Sequence, residues 1–230
     1  MKINPNKSKA LSFTRARVKE PLGDQKIPEA SCCRYLGIIV RSDLSWAVQV
    51  NYTVQKAWRA LHFVMRIVKK GNKNTKSLAY MSLVRPILEY GVACWDPYRE
   101  CQICALDRVQ NEAAKFAHHS GGSDWESLAQ CRKIARMCAL YKAYTGERAW
   151  KAIGDRLQAP SCLSGVDHYW KIRARKQRTD IGKCSFGNGT ITAWNKLPEK
   201  AIGTSQVKTH VFKTRVTKVK PVRGSEGDKK

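Results

Sequence analysis

Acidic residues are scarce in this chain: 18 Asp and Glu stand against 43 Lys and Arg among 230 residues, a formal charge of +25. No two acids are adjacent, which removes the simplest carboxylate pairs from which a hydrolytic site could be built. A phosphate-cradling loop of the G-x-x-x-x-G-K type is also missing. No run approaches ~18 apolar residues, so no transmembrane helix and no membrane partner are expected. The opening residues MKINPNKSKA lack the apolar core of a signal peptide. Nine cysteines, an odd number, are scattered without a repeating framework. That usage points to a reduced intracellular compartment rather than to a disulfide scaffold.

Apolar residues make up 43% of the chain, enough for one sizeable core or two small domains. The cationic excess runs the whole length. Such a field attracts polyanions and repels other copies of the chain, and neutralising phosphates releases condensed counterions. Nucleic acid is therefore the expected partner. The alternatives for such a composition are a ribosomal or chromatin-type basic protein, or a membrane-surface binder.

Residues 9–14 read as a short strand. Pro21, Gly23, Asp24 and Pro28 keep 19–30 irregular, apart from a short strand around Lys26 and Ile27. The run CRYLGIIVRSDLSW, Cys33 to Trp46, then reads as a strand over 33–40, a polar turn and a Ser45-capped helix start. Short strands so close together predict a small antiparallel hairpin. The helix is expected over 45–70, ended by Gly71 and Asn72. Trp46, Val50, Val54, Ala57, Leu61, Val64 and Val68 recur at spacings of three and four and form its buried stripe. Opposite them lie Lys56, Arg59, Arg66 and Lys70, with Tyr52 and Phe63 among them. A solvated basic face is the ordinary reading of such a pattern; the interleaved rings favour contact with a phosphate backbone and its sugars.

A second helix is expected over 75–92, kinked or split by Pro86. A third starts after Asp96, with Pro97 at its first position, and runs to about His118 with Leu106, Val109, Ala113 and Phe116 inward. Helices over 124–130 and 132–146 follow a Gly-Gly-Ser loop at 121–123; Ile134, Met137, Tyr141 and Tyr144 share one side of the latter, and Gly146 interrupts or ends it. A short helix around 148–157 closes the helical block. Beyond Pro160 the texture changes. Lys171 to Lys183 carries six basic residues and one acid and reads as a basic linker or arm. Residues 190–198, TITAWNKLP, read as an apolar knot, and a helix over 204–219 carries Val207, Val211 and Phe212. The last ten residues read as a disordered tail.

Cys101 and Cys104 form a C-x-x-C, with His118, His119 and Cys131 downstream. A zinc finger needs a second ligand pair at matching spacing. Here the cysteines fall inside an amphipathic helix and no second C-x-x-C exists, so they are read as ordinary helix cysteines and no metal ligand is assigned.

INPNKSKALSF at 3–13, RYLGIIVRSDLSW at 34–46, LVRPILEYGVACW at 83–95 and LDRVQNEAAKF at 106–116 occur in an order that resembles the C-terminal part of the reverse transcriptases of non-LTR retrotransposons, the jockey-like LINE elements. WNKLP at 194–198, followed by Phe212 and Lys213, resembles the tail of those polyproteins. The resemblance implies that Lys7 falls at a lysine assisting nucleotide addition, and that Tyr35, Leu36 and Gly37 belong to the primer-grip hairpin. It implies that the helix opening at Trp46 begins the thumb, which follows the groove of the template–primer duplex. The parent polymerase is expected to use Mg²⁺ held by three carboxylates. The paired aspartates among them belong just upstream of Asn4, so no catalytic residue and no cofactor is expected within this chain, which alone is not expected to polymerise.

The expected fold is thus α+β, mainly α. Residues 1–44 form a residual palm and primer-grip hairpin, 45–158 a helical thumb-like domain, 159–220 a basic C-terminal region with a terminal helix, and 221–230 the tail. The expected function is that of a fragment of an RNA-directed DNA polymerase that supplies primer grip and template–primer clamp. RNA template, RNA–DNA hybrid or DNA duplex are its partners. The nucleic-acid-binding residues are Tyr35, Leu36, Gly37, Lys56, Arg59, Arg66, Lys70, Lys171, Arg173 and Arg175, the basic stretch 171–178 doubling as a candidate import signal. The alternative is a non-enzymatic basic nucleic-acid-binding protein or a relic without function; a metal-dependent nuclease comes third.

Overall fold

Cys32–Tyr35 (β1) and Ile38–Arg41 (β2) pair antiparallel, with Tyr35 opposite Ile38 and Cys32 opposite Arg41. The run expected as one strand over 33–40 therefore contains its own reversal. Leu36 and Gly37 form the turn, with φ of 47° and 82°. Two consecutive positive φ values give the two-residue turn whose twist matches that of the strands. The apolar Leu36 stands where Asn or Asp is usual, which hides the reversal in the sequence. Of the strand expected over 9–14, the described residues 9–13 show only a single parallel bridge from Ala10 to Glu29.

The computed structural model describes residues 8–13, 28–118, 125–145, 157–160, 168–203 and 208–219. The expectations for Lys7, Lys26 and Ile27, His119, the 121–123 loop, Gly146, the helix at 148–156, Val207 and the tail at 221–230 lie outside them. The chain is mainly helical with one two-stranded antiparallel sheet among the described residues. It divides into two compact units, Met1–Ala129 and Gln130–Lys230.

In the first unit, Ala47–Ile67 (α1) buries Val50, Ala57, Leu61 and Val64 as the spacing predicts. Trp46, Val54 and Val68 are only half-buried, and the polar Gln49 and Thr53 complete the inner face. Ser45 is not the cap: its hydroxyl reaches only the Ala47 N–H at 3.4 Å, and Trp46 occupies the capping position with no side-chain bond. Lys73–Ala79 (α2) starts with an Asn72 side chain accepting from the Thr75 N–H. One π-helical turn, Tyr80–Val84, joins it to Arg85–Glu89 (α3). This is the split expected at Pro86. A proline ring collides with the carbonyl four residues back; here the helix widens just before it, so the Arg85 N–H bonds to the Tyr80 carbonyl.

Glu100–His118 (α4) begins three residues later than Pro97, which is buried ahead of the helix. Leu106, Val109 and Ala113 of α4 are buried with Tyr80, Val84 and Leu88, and α1 packs against both α3 and α4. Each fully buried Leu or Val contributes about 1.5–3 kcal/mol. Phe116 is half-buried under the Lys76 ammonium, 4.7 Å from its ring centre.

The helices expected at 124–130 and 132–146 are one continuous helix, Leu128–Tyr144 (α5), because no breaker stands at Cys131. In the second unit its Met137, Leu140 and Tyr141 pack with Ile172, Trp194 and Phe212 into one core. Tyr141 and Phe212 stack at 4.3 Å between ring centres. Asp180–Lys183 (α6) leads into Phe186–Trp194 (α7), then Glu199–Ile202 (α8) and Thr209–Lys218 (α9). The expected apolar knot is thus the end of a helix and the turn after it. Arg136, buried on α5, donates to the Ser185 carbonyl at 2.8 Å and to Thr190 Oγ1 at 3.2 Å. It thereby holds the start of α7, which Gly187 and Gly189 would otherwise weaken.

Candidate nucleic-acid interface

The hairpin is fastened to the helices by side chains that do not belong to the apolar pattern. Gln49 on α1 accepts from the Ile39 N–H at 2.9 Å and donates to Thr53 Oγ1 at 3.2 Å. Arg34 on β1 donates to the Tyr52 hydroxyl at 2.8 Å, with its guanidinium 4.9 Å from that ring centre. Tyr90, following α3, donates to the Leu36 carbonyl at 2.8 Å. Two glycines make the fit close. A Cβ on Gly37 would stand 3.2 Å from the Tyr90 ring, and one on Gly91 would stand 2.7 Å from the Ile38 side chain. RYLGI and EYGVACW, more than fifty residues apart, therefore interlock backbone against side chain.

Between hairpin, α1 and α3 lies a cleft of about 360 Å³, bordered by Arg34, Gly37, Gln49, Tyr52, Lys56 and Tyr90 among others. The α1 face that starts there continues outward. Tyr52, Lys56, Arg59, Phe63 and Arg66 recur every three or four residues over about 21 Å of helix. Lys56, Arg59 and Arg66 are exposed, as is Lys70 just beyond the helix end, and Phe63 is 49% exposed. No Asp or Glu occurs from Leu44 to Leu88, a span holding eight Lys and Arg. Two of these serve the fold: Lys76 over Phe116, and Arg85, which pairs with Glu89 and donates to the Glu126 carbonyl. Tyr35 and Leu36 project from the hairpin tip, 69% and 72% exposed. The arrangement is a cationic rail beside a cleft with a tyrosine on either flank.

At the base of the hairpin, Asp43 accepts from the Arg41 guanidinium and from the Ser45 N–H, and these bonds hold its carboxyl down at about 2. A depressed carboxyl stabilises the folded form above its ordinary value of 3.8 and loses that contribution as the pH falls through about 2. An NMR titration of the Asp43 carboxyl is expected to show its midpoint near 2. A midpoint at the ordinary value would contradict the bonds.

The remaining expected residues fall elsewhere. Lys171, Arg173 and Arg175 belong to the second unit, where Arg173 and Arg175 are exposed and Lys171 is half-buried. Their segment has no regular secondary structure from Lys171 to Gln177, yet it is not a free arm. Ile172 is buried, and Asn195 bonds both its N–H and its carbonyl, at 2.9 and 2.7 Å. Cys101 and Cys104 are exposed on α4, and the bond to Glu100 raises the Cys104 thiol above its usual range. Among the described residues no three His, Cys, Asp or Glu side chains come together as metal ligands. They offer no donor set for the Mg²⁺ implied by the resemblance, and no chemical step is assigned to it. No helix of the described residues is long and apolar enough to cross a membrane.

Sequence reasoning missed Arg34, Gln49 and Tyr90. Each has a partner 10 to 54 residues away, and no local pattern announces such a pairing. No protein-family model matches the chain, and no match was found among curated proteins or solved structures.

Proposed function

We propose that this chain is the C-terminal part of a non-LTR retrotransposon reverse transcriptase, with the hairpin as primer grip and the first unit's helices as a thumb-like clamp on template–primer duplex. The observation that carries this reading is the interlock of RYLGI with EYGVACW beside the acid-free face of α1. Two of the stretches that resemble the family's C-terminal part meet at one cleft, and the cationic rail begins there. An RNA–DNA hybrid presents a wide, shallow minor groove lined by 2′-hydroxyls and phosphates, so recognition is expected to follow shape and charge rather than base sequence. Lys56, Arg59 and Arg66 supply charge along one groove edge. Tyr35 and Leu36 at the tip supply apolar contact to sugars.

Arg59→Ala combined with Arg66→Ala is expected to weaken binding to a labelled RNA–DNA hybrid on the order of tenfold near physiological salt. The slope of log affinity against log salt is expected to shrink by about one to two. Fluorescence anisotropy across a salt series measures both. An unchanged affinity and slope would remove α1 from the interface.

A further inference from the structure

The second unit carries a basic surface built differently from the α1 rail, on an irregular segment with an exposed ring at its head. From His168 to Thr179 there are five Lys and Arg and no acid. Arg173, Arg175, Lys176 and Arg178 are exposed. Lys171 to Gln177 forms neither helix nor strand, and a segment of that kind ordinarily presents its charges on a mobile backbone. Here the head of the segment is fixed. Trp194 Nε1 donates to the Trp170 carbonyl at 2.8 Å. Asn195 holds both polar groups of the Ile172 backbone, and the Arg173 N–H reaches the Gln158 carbonyl at 2.8 Å. Ile172, 1% exposed, plugs the core beneath.

Tyr169, immediately before this anchored stretch, is 72% exposed although it is a large aromatic residue. Its ring stands perpendicular to Trp170, 5.3 Å between centres. Trp170 is in turn held edge-on by Tyr144 at 5.8 Å. The chain thus spends a supported tyrosine on solvent at the head of a line of arginines. The nine residue steps from Tyr169 to Arg178 span at most ~30 Å even if fully extended. A ring for a base to stack on, followed by cations that track a backbone, is the combination used for single-stranded nucleic acid. A duplex keeps its bases stacked inside and offers Tyr169 nothing to stack on.

We propose that Tyr169 to Arg178 is a binding site for single-stranded nucleic acid, RNA or DNA, of about four nucleotides, with Tyr169 stacking on one base and Arg173, Arg175, Lys176 and Arg178 neutralising the phosphates beyond it. The site uses none of the residues assigned to the duplex clamp. Duplex held by the first unit and single strand held by the second are distinct ligands.

The test uses the full chain and fluorescence anisotropy with labelled U12, dT12, a blunt RNA–DNA hybrid, and phosphatidylserine vesicles as a fourth ligand. Tyr169→Ala is expected to weaken U12 and dT12 on the order of tenfold, with the salt slope kept and hybrid binding unchanged. Tyr169→Phe keeps the ring and is expected to restore binding. Arg173→Ala with Arg175→Ala is expected to cut the single-strand salt slope by about 1.4. The different losses of U12 and dT12 across these variants tell which sugar the site prefers. Tyr169 and both arginines are exposed, so these changes leave the core intact, and a circular dichroism spectrum matching the parent chain checks it. The proposal is overturned if Tyr169→Ala leaves single-strand binding unchanged, if it weakens hybrid equally, or if vesicles are bound and lost on Tyr169→Ala while oligonucleotides are not. Arg59→Ala with Arg66→Ala, run alongside, is expected to affect hybrid and spare U12. Failure of the clamp thus leaves this site standing, and the converse holds as well.

Discussion

Replacing Trp194 by Ala is expected to lower the unfolding free energy of the second unit by about 3–5 kcal/mol. The side chain is fully buried, with Tyr141, Tyr144 and Phe212 rings at 6.4, 5.9 and 5.8 Å from it. Truncation to a methyl group leaves a void among the Tyr141, Tyr144 and Phe212 rings. The Trp170 carbonyl simultaneously loses its indole donor, and a buried acceptor left unpaired costs about 1–3 kcal/mol if water cannot reach it. Trp194→Phe separates the two contributions. It keeps most of the packing and loses only the N–H, so about 1–2 kcal/mol is expected. Urea unfolding followed by circular dichroism measures the difference. Two compact units can unfold in two steps, and only the step belonging to residues 130–230 is expected to move. A loss below about 1 kcal/mol for Trp194→Ala would contradict the packing of this core.

This core also explains which parts of the molecule are legible in the sequence. The inner face of α1 is written in Val50, Ala57, Leu61 and Val64, because helical spacing and burial coincide there. Its ends are not. Ser45 has the chemistry of a cap, yet Asp43 takes the Ser45 N–H and the turn closes through Arg41. The cleft was half legible. Lys56, Arg59 and Arg66 are readable as a face from spacing alone, but Gln49 on the inner face reads as a solvent residue until the Ile39 N–H arrives from the hairpin. In the second unit the contacts that fix Trp170 to Arg173 are not local. The Asn195 clasp on Ile172 joins positions 23 residues apart, so a basic stretch that composition marks as a linker is pinned to the core. Helix α7 contains Gly187 and Gly189, and propensity alone argues against a helix there. Arg136 and the buried Ile191 and Trp194 override that preference.

Gly37→Val is expected to destabilise the first unit by about 2–3 kcal/mol. A left-handed conformation costs an ordinary L-residue about 1–2 kcal/mol, and a β-branched side chain is among the least tolerant of it. Gly37 has φ of 82°. The added Cβ also meets the Tyr90 ring at 3.2 Å, so the ring must give by a few tenths of an ångström against its bond to the Leu36 carbonyl. Gly37→Asn tests the conformational part, since Asn accepts positive φ more readily; it still carries the Cβ and is expected to fall between the two. Amide exchange reports the site of damage: the Ile39 N–H, bonded to Gln49, is expected to lose protection while Leu61 and Val64 in the α1 core keep theirs. Unchanged exchange at Ile39 together with unchanged stability would mean that the reversal is not at Leu36–Gly37. The same variant discriminates shape from charge in the proposed clamp. No cation is removed, so hybrid binding is expected to weaken with an unaltered salt slope, in contrast to Arg59→Ala with Arg66→Ala, which lowers the slope itself.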